Sequence, residues 1–121
     1  MEPERTGLKR IVKAFGYSFE GLRATYASEA AFRQELWLCA GAIPIACWLD
    51  VTASERALLI GSLFLVLIAE LLNTAMETIV DRISPDIHPL SKKAKDIGSA
   101  VVLMALLCAG SVWGVILCAH V

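Results

Sequence analysis

The stretch 57-ALLIGSLFLVLIAELLNTAMETIVD-81 sets Glu70, Asn73, Glu77 and Asp81 in an otherwise apolar run. Their spacing of three, four and four residues puts all four side chains on one stripe of an α-helix. The run up to Val80 is long enough to cross a bilayer, and carboxylates inside such a segment cost several kcal/mol. They are kept there for a partner or a task, so this stripe is where chemistry is expected.

Outward from it, the 121-residue chain is 57% hydrophobic, and its apolar residues fall into three long blocks that a soluble domain of this length does not need. Gly98–Ala119 contains no charged residue and matches the roughly 20 helical residues that a hydrocarbon core of about 30 Å requires. Residues 57–80 form the second span. Residues 30–49 form a weaker one, because Arg33, Gln34 and Glu35 occupy its opening turns and must sit at headgroup level or against protein. The expected fold is therefore all-α and integral to the membrane, a single domain over residues 1–121.

Net charge of −1 is uninformative, and no nucleic-acid partner is expected; the distribution of charge says more. Ten of the eleven Lys and Arg residues lie before or at the edge of the first span (Arg5, Lys9, Arg10, Lys13, Arg23, Arg33) or between spans two and three (Arg82, Lys92, Lys93, Lys95), leaving only Arg56 on the other side. By the positive-inside rule the N-terminus is cytoplasmic, and the 50–56 loop and the C-terminus at His120 and Val121 are periplasmic. No cleavable signal peptide is expected, since the apolar run near the N-terminus is missing. Cys39, Cys47, Cys108 and Cys118 show neither zinc-type spacing nor a CxxC pair, and buried apolar packing is their expected role.

Before the first span, Leu8, Ile11, Val12, Phe15, Phe19, Leu22 and Tyr26 recur at three- and four-residue steps, with Lys9, Arg10, Lys13, Glu20 and Arg23 on the other face. This spacing predicts an amphipathic helix over about 7–27 on the inner membrane surface, with a bend or break at Gly16 or Gly21. Pro44 is expected to kink the first span. Trp37 and Trp48 suit interfacial anchoring at its two ends, and Trp113 suits packing inside the third. Ser84–Pro89 reads as a cytoplasmic turn, in which His88 suits a ligand contact or a solvated position equally well. Ala105, Ala109, Gly110 and Gly114 permit close helix approach along the third span without specifying a subunit number.

The topology fixes depth. Span two enters from outside and reaches Glu70 after roughly 20 Å of helix, so Glu70, Asn73, Glu77 and Asp81 occupy its cytoplasmic third. Glu29 and Glu35 open span one at the same level, and Lys95 and Asp96 precede span three there. Clustered carboxylates with access to the cytosol suit a hard divalent cation, and Mg²⁺ takes one or two carboxylates plus substrate phosphates. A further carboxylate can act as general base toward a hydroxyl. The combination points to phosphoryl transfer at the membrane–cytosol boundary, although no GxxxxGK or protein-kinase signature is present. Composition and spacing alone also allow a small proton-coupled transporter, although the charges lie toward one face rather than at the midplane and three spans make no inverted repeat.

The dodecapeptide Glu70–Asp81, ELLNTAMETIVD, resembles the signature of the prokaryotic diacylglycerol kinases, small integral-membrane lipid kinases. The resemblance runs through Lys13–Ser18, Gly21–Ala24, Glu29–Glu35 and Ala94–Ala100 and so covers nearly the whole chain. It implies a homotrimeric bundle of three spans per chain in the bacterial inner membrane, with active sites shared between subunits. The implied reaction is transfer of the ATP γ-phosphoryl group to diacylglycerol, giving phosphatidic acid. Carried over by position, it implies that Glu70 is the general base, that Glu29 and Glu77 hold Mg²⁺ with the nucleotide, and that Asn73 and Asp81 support them. ATP contacts would come from Arg10, Tyr17, Glu29, Glu77, Asp86, Ile87, His88, Lys95 and Asp96. Lipid contacts would come from Arg23, Tyr26, Phe32, Arg33, Gln34, Glu35, Trp48, Glu70 and Ser99. Members of the same family phosphorylate undecaprenol, and the shared Mg-ATP motifs do not separate the two acceptors.

Overall fold

The computed structural model describes residues 7–83 and 86–121, which form four helices: α1 Gly7–Ser28, α2 Ala30–Trp48, α3 Ala53–Ile83 and α4 Pro89–Ala119. Arg5, Ser84 and Pro85 lie outside the described residues. No strand occurs among the described residues, as the helical periodicities require.

The helix boundaries follow from local chemistry. Glu29 adopts an extended conformation (φ −114°, ψ 110°) that ends α1 and caps α2. The corner is held by Arg33, whose guanidinium donates to Tyr26 O (2.7 Å) and Ala27 O (3.2 Å), carbonyls that α1 itself leaves unpaired. At the other end of α2, Arg56 donates to Ala46 O (2.6 Å), Cys47 O (2.8 Å), Leu49 O (3.1 Å) and Val51 O (3.2 Å). A reciprocal capping box then starts α3: Thr52 N–H donates to Glu55 Oε1 (2.9 Å) and Glu55 N–H to Thr52 Oγ1 (3.1 Å). His88 caps α4, its Nδ1 accepting from Leu90 N–H (3.1 Å), and Pro89 occupies the first turn, where no intrahelical N–H is needed.

These caps explain why α3 and α4 outrun the apolar stretches expected at 57–80 and 98–119. Each has 31 residues, about 46 Å of helix, of which the apolar portion alone matches a bilayer core. Both are long and apolar enough to cross a membrane. The 19-residue α2, with Arg33, Gln34 and Glu35 in its first turns, is less apolar. α1 is continuous through Gly16 and Gly21, so the break expected there does not occur: a helical glycine costs only about 0.5–1 kcal/mol, too little to interrupt 22 residues of regular spacing. α2 contains Pro44 within its helical span.

Packing centres on α3, which meets α4 along most of its length and α2 on another side, while α1 touches α2 and α3 lightly. One cluster joins Val66 and Ala69 to Ala105 and Ala109; a second, nearer the Arg56 end, joins Ala46, Leu59 and Ile116. Trp113 sits beside the second cluster and donates its indole N–H to Leu59 O (3.2 Å). Of the small residues on α4, Ala105 and Ala109 fill this seam, whereas Gly110 and Gly114 face open space, because Gly98, Ala105, Ala109 and Ile116 define the stripe turned to α3. Only Cys39 is buried, its thiol near Leu63 O (3.8 Å); Cys47, Cys108 and Cys118 lie on exposed faces, so the packing role expected for all four applies within the chain to Cys39 alone. Large apolar side chains such as Phe64, Ile68, Leu103, Met104 and Val115 also point outward, a surface suited to lipid or to other subunits rather than water.

Candidate functional site

The α3 stripe is graded in exposure. Glu70 is buried (6% exposed), Asn73 and Glu77 are half-buried, and Asp81 is exposed at the helix end. Helical spacing produces this gradient, because each step toward Ile83 carries the stripe away from the α2–α3–α4 packing. Among the described residues, neither a hydrogen bond nor an ion pair engages the Glu70 carboxylate.

Around it the fold assembles further acid groups. Glu29 at the α1–α2 corner, Glu35 two turns into α2, and Glu77 all lie within Coulombic reach of Glu70. Glu29 and Glu35 are half-buried. Beside this group, an open groove of about 740 Å³ runs between α1 and α3, lined by Ser18, Gly21, Thr25, Ser28, Thr74 and Thr78 among others. Its hydroxyls are mostly spent on backbone carbonyls one turn back: Ser18 on Ala14 O (2.9 Å), Thr25 on Gly21 O (2.8 Å) and Thr78 on Thr74 O (2.7 Å). A second groove of about 420 Å³, between Leu65, Leu72, Ile97 and Met104, is almost wholly apolar. At 100° per residue it opens on the side of α3 turned away from Glu70 and adjoins none of the acids.

Cations reach the cluster from α4. Lys95 pairs with Asp81 (2.6 Å), and Lys92 pairs with Asp96 one turn along (2.7 Å). Both lysines precede the apolar run at 98, and the hydrogen bond that Lys95 donates to Asp81 holds its ammonium above the ordinary lysine value. Glu77 adds to this attraction. The acidic stripe and the basic end of α4 are thus joined across the α3–α4 turn.

The remaining expected site residues are distributed less tightly. Arg10, Tyr17 and Arg23 are exposed along α1, and Asp86, Ile87 and His88 are exposed before α4. Tyr26, Arg33 and Trp37 form the α1–α2 corner, where the Trp37 indole donates to the Tyr26 hydroxyl (3.1 Å) and the Arg33 guanidinium lies 6.0 Å from the Tyr26 ring centre. Phe32 is buried (1% exposed) beneath that corner, while Gln34 and Ser99 face outward. Trp48 is at the far end of α2, about 20 Å of helix beyond Glu35, and 84% exposed. One chain therefore brings together Glu29, Glu35, Glu70, Asn73, Glu77, Asp81 and Lys95, and leaves Arg10, Tyr17 and Trp48 apart from them.

Among the described residues, no three His, Cys, Asp or Glu side chains converge closely enough to hold a metal ion. A two-carboxylate donor set completed by phosphate oxygens and water is what Mg²⁺ accepts, and Glu29 and Glu77 form no ion pair among the described residues. The donor chemistry therefore fits the cation in the company of a nucleotide. Two features escaped sequence reasoning: Gly98 packed directly against Asn73, and Arg56 with the Glu55–His120 pair at the opposite end of the molecule. Gly98 follows Lys95 and Asp96 by a single turn, but nothing in its own identity marks what it faces.

Long apolar helices with buried and half-buried carboxylates gathered at one end, and lysines arriving at the same end, define a helical membrane protein with a polar site at one boundary of its apolar layer. Residues 16–117 match the family model described as prokaryotic diacylglycerol kinase. The chain is 52% identical over 120 residues to the diacylglycerol kinase of Escherichia coli strain K12, covering 99% of this chain and 98% of that protein. It is 52% identical over 113 residues to that of Pseudomonas aeruginosa (93% and 92%) and 40% identical over 112 residues to that of Helicobacter pylori strain J99 (93% and 88%). The chain belongs to the prokaryotic diacylglycerol kinase family.

Proposed function

We propose that the protein phosphorylates diacylglycerol with ATP, giving phosphatidic acid, at the cytoplasmic face of a bacterial inner membrane. The observation that carries this reading is Glu70: a buried carboxylate with no cation partner among the described residues, on the motif-bearing helix of a chain in this family. Glu70 is the general base. It takes the proton of the glycerol hydroxyl as that oxygen attacks the γ-phosphorus, the bond to the bridging oxygen breaks, and ADP leaves. Lys95 and Asp96, with Arg10, Tyr17 and the 86–88 segment, hold the nucleotide; Arg23, Tyr26, Phe32, Arg33, Gln34, Glu35, Trp48 and Ser99 form the lipid side. Mg²⁺, held by Glu29 and Glu77 with the phosphates, would neutralise charge on the transferring group.

The depth of the stripe suits this division of labour. A diacylglycerol hydroxyl lies just below the headgroups, and ATP stays in the cytosol, so a base near the cytoplasmic end of a spanning helix reaches the first while polar residues beyond it reach the second. Rate enhancement then comes mainly from positioning and fixed charge. In the proposed arrangement α2, α3 and α4 span the bilayer, α1 lies on its inner surface, and the C-terminus is periplasmic. Three such chains share their active sites, a reading supported by the separation of Arg10 and Tyr17 from Glu70 within one chain and by the outward apolar faces.

The test is transfer of labelled phosphate from ATP to diacylglycerol and to undecaprenol, side by side in mixed micelles, with and without Mg²⁺. Mg²⁺-dependent labelling with diacylglycerol preferred is the expected result. Preference for undecaprenol would keep the fold and site but change the acceptor, and labelling of neither would favour a proton-coupled carrier.

A further inference from the structure

The α3–α4 seam holds one contact that the acidic cluster does not account for. A Cβ placed on Gly98 would overlap Asn73 Oδ1, with Asn73 Cγ at 3.5 Å and Cα at 3.7 Å. The other seven glycines have nothing within 4 Å of the same position. Asn73 Oδ1 is in turn the one side-chain polar atom, among the described residues, that is wholly sealed from solvent and has no hydrogen-bond partner. Native structures rarely leave such an atom without an interaction of some kind. Here one hydrogen on the Gly98 Cα occupies the direction a Cβ would take, so it points at Oδ1 and supplies a weak C–H···O contact.

The contact lies one turn beyond Glu70 and one turn before Glu77, and Asn73 is the only side chain on that stripe able to donate a hydrogen bond. Ionised carboxylates can only accept. A transferring phosphoryl group and an attacking hydroxyl are rich in oxygens that need donors. An amide pinned by its oxygen has its NH₂ end fixed too, on the other branch of the same planar carbon. We infer that Gly98 is a positioning residue: its bare Cα locks the Asn73 carboxamide against α4, oxygen inward, and turns the amide N–H groups toward the Glu70–Glu77 stripe. This rests on the phosphoryl-transfer reading for its consequence, and on the packing alone for the contact.

The experiment is a double-mutant cycle on the full chain in lipid–detergent micelles, reading kcat, KM for ATP and diacylglycerol, and the thermal midpoint. Gly98→Ala is expected to lower kcat about tenfold or more, with KM for ATP little changed, because a displaced amide costs transition-state contacts rather than nucleotide affinity. Asn73→Ala is expected to be slowed comparably. In Gly98→Ala/Asn73→Ala the new methyl meets only backbone at ordinary contact distance, so the thermal midpoint recovers while kcat stays at the level of Asn73→Ala. A Gly98→Ala protein with full turnover would overturn the inference. So would a double variant that regains turnover, or kcat penalties that multiply. If Gly98→Ala does not fold, the double variant and Asn73→Ala still decide, since full activity in either refutes the role. Wild-type protein that labels neither lipid would defeat the kinase reading instead, and non-additive thermal midpoints would then still report the contact.

Discussion

Lys95 and Asp81 are joined by an ion pair of 2.6 Å that ties the basic start of α4 to the end of the acidic stripe on α3. Both side chains are substantially exposed, 43% and 61%, so the pair contributes little to the fold and is easily opened by a competing anion. A phosphate group is such an anion. The pair therefore holds the lysine beside the site without sequestering it.

Lys95→Met should lower turnover roughly 100-fold, the usual scale for loss of one group stabilising transferring charge. Asp81→Asn should leave the fold intact and disturb KM for ATP more than kcat. Steady-state kinetics with ATP varied would check both, and a fully active Lys95→Met protein would remove the lysine from the nucleotide site.

Glu70→Gln preserves shape and removes the basic oxygen. Turnover should drop by about 10²–10⁴-fold, the range for loss of a positioned general base, while the thermal midpoint changes little or rises, because a buried charge has gone. A variant with wild-type turnover would assign the base elsewhere, and Glu77 and Glu29 would be the next to substitute.

Removal of divalent cations with EDTA should abolish labelling of lipid, and added Mg²⁺ should restore it. Glu77→Gln should need more Mg²⁺ for half-maximal rate. Ca²⁺, which prefers six to eight oxygens in a looser shell, should restore less, because only two carboxylates are offered. Activity that survives exhaustive chelation would exclude the proposed role of Glu29 and Glu77.

How far these expectations could be reached from sequence differs by element. The acidic stripe on α3 was legible because Glu70, Asn73, Glu77 and Asp81 keep helical spacing inside apolar residues, and the four helices followed from periodicity. What the pattern does not carry is the identity of facing groups on other helices. Nothing in the order of residues says that Gly98 meets Asn73, that Arg33 closes the end of α1, or that three of the four cysteines face outward. Those depend on the rotation of one helix against the next. α3 and α4 also extend several residues beyond the apolar stretches 57–80 and 98–119, since hydropathy reports the apolar layer whereas Thr52, Glu55, His88 and Pro89 set where α3 and α4 begin.

Arg56 donates to four carbonyls at the end of α2 and the loop that follows. Charge-assisted bonds of this kind contribute about 1.5–3 kcal/mol each when a carbonyl would otherwise be left bare. Arg56→Met should therefore lower the thermal midpoint by several degrees while kcat per folded protein is unchanged, because the site lies at the other end of α3. Kinetics corrected for folded fraction would separate the two effects.

The Glu55–His120 contact fastens the end of α4 to the start of α3 at 3.0 Å, outside the apolar runs of both helices. The Glu55 carboxyl is held below the ordinary carboxylate range, first by the Thr52 backbone N–H and next by His120. A carboxylate with a depressed folded-state pKa contributes stability that is fully present above its unfolded pKa and lost as pH falls through the folded one. The thermal midpoint should accordingly hold near neutral pH and decline on acidification below the usual carboxylate range. Glu55→Gln should start lower at neutral pH and decline less steeply over that acid window, and His120→Ala should reproduce only part of the change, because the capping bonds from Thr52 remain. Thermal unfolding of the three proteins between neutral pH and pH of about 3 checks this; parallel curves for wild type and Glu55→Gln would remove Glu55 as the source of the acid sensitivity.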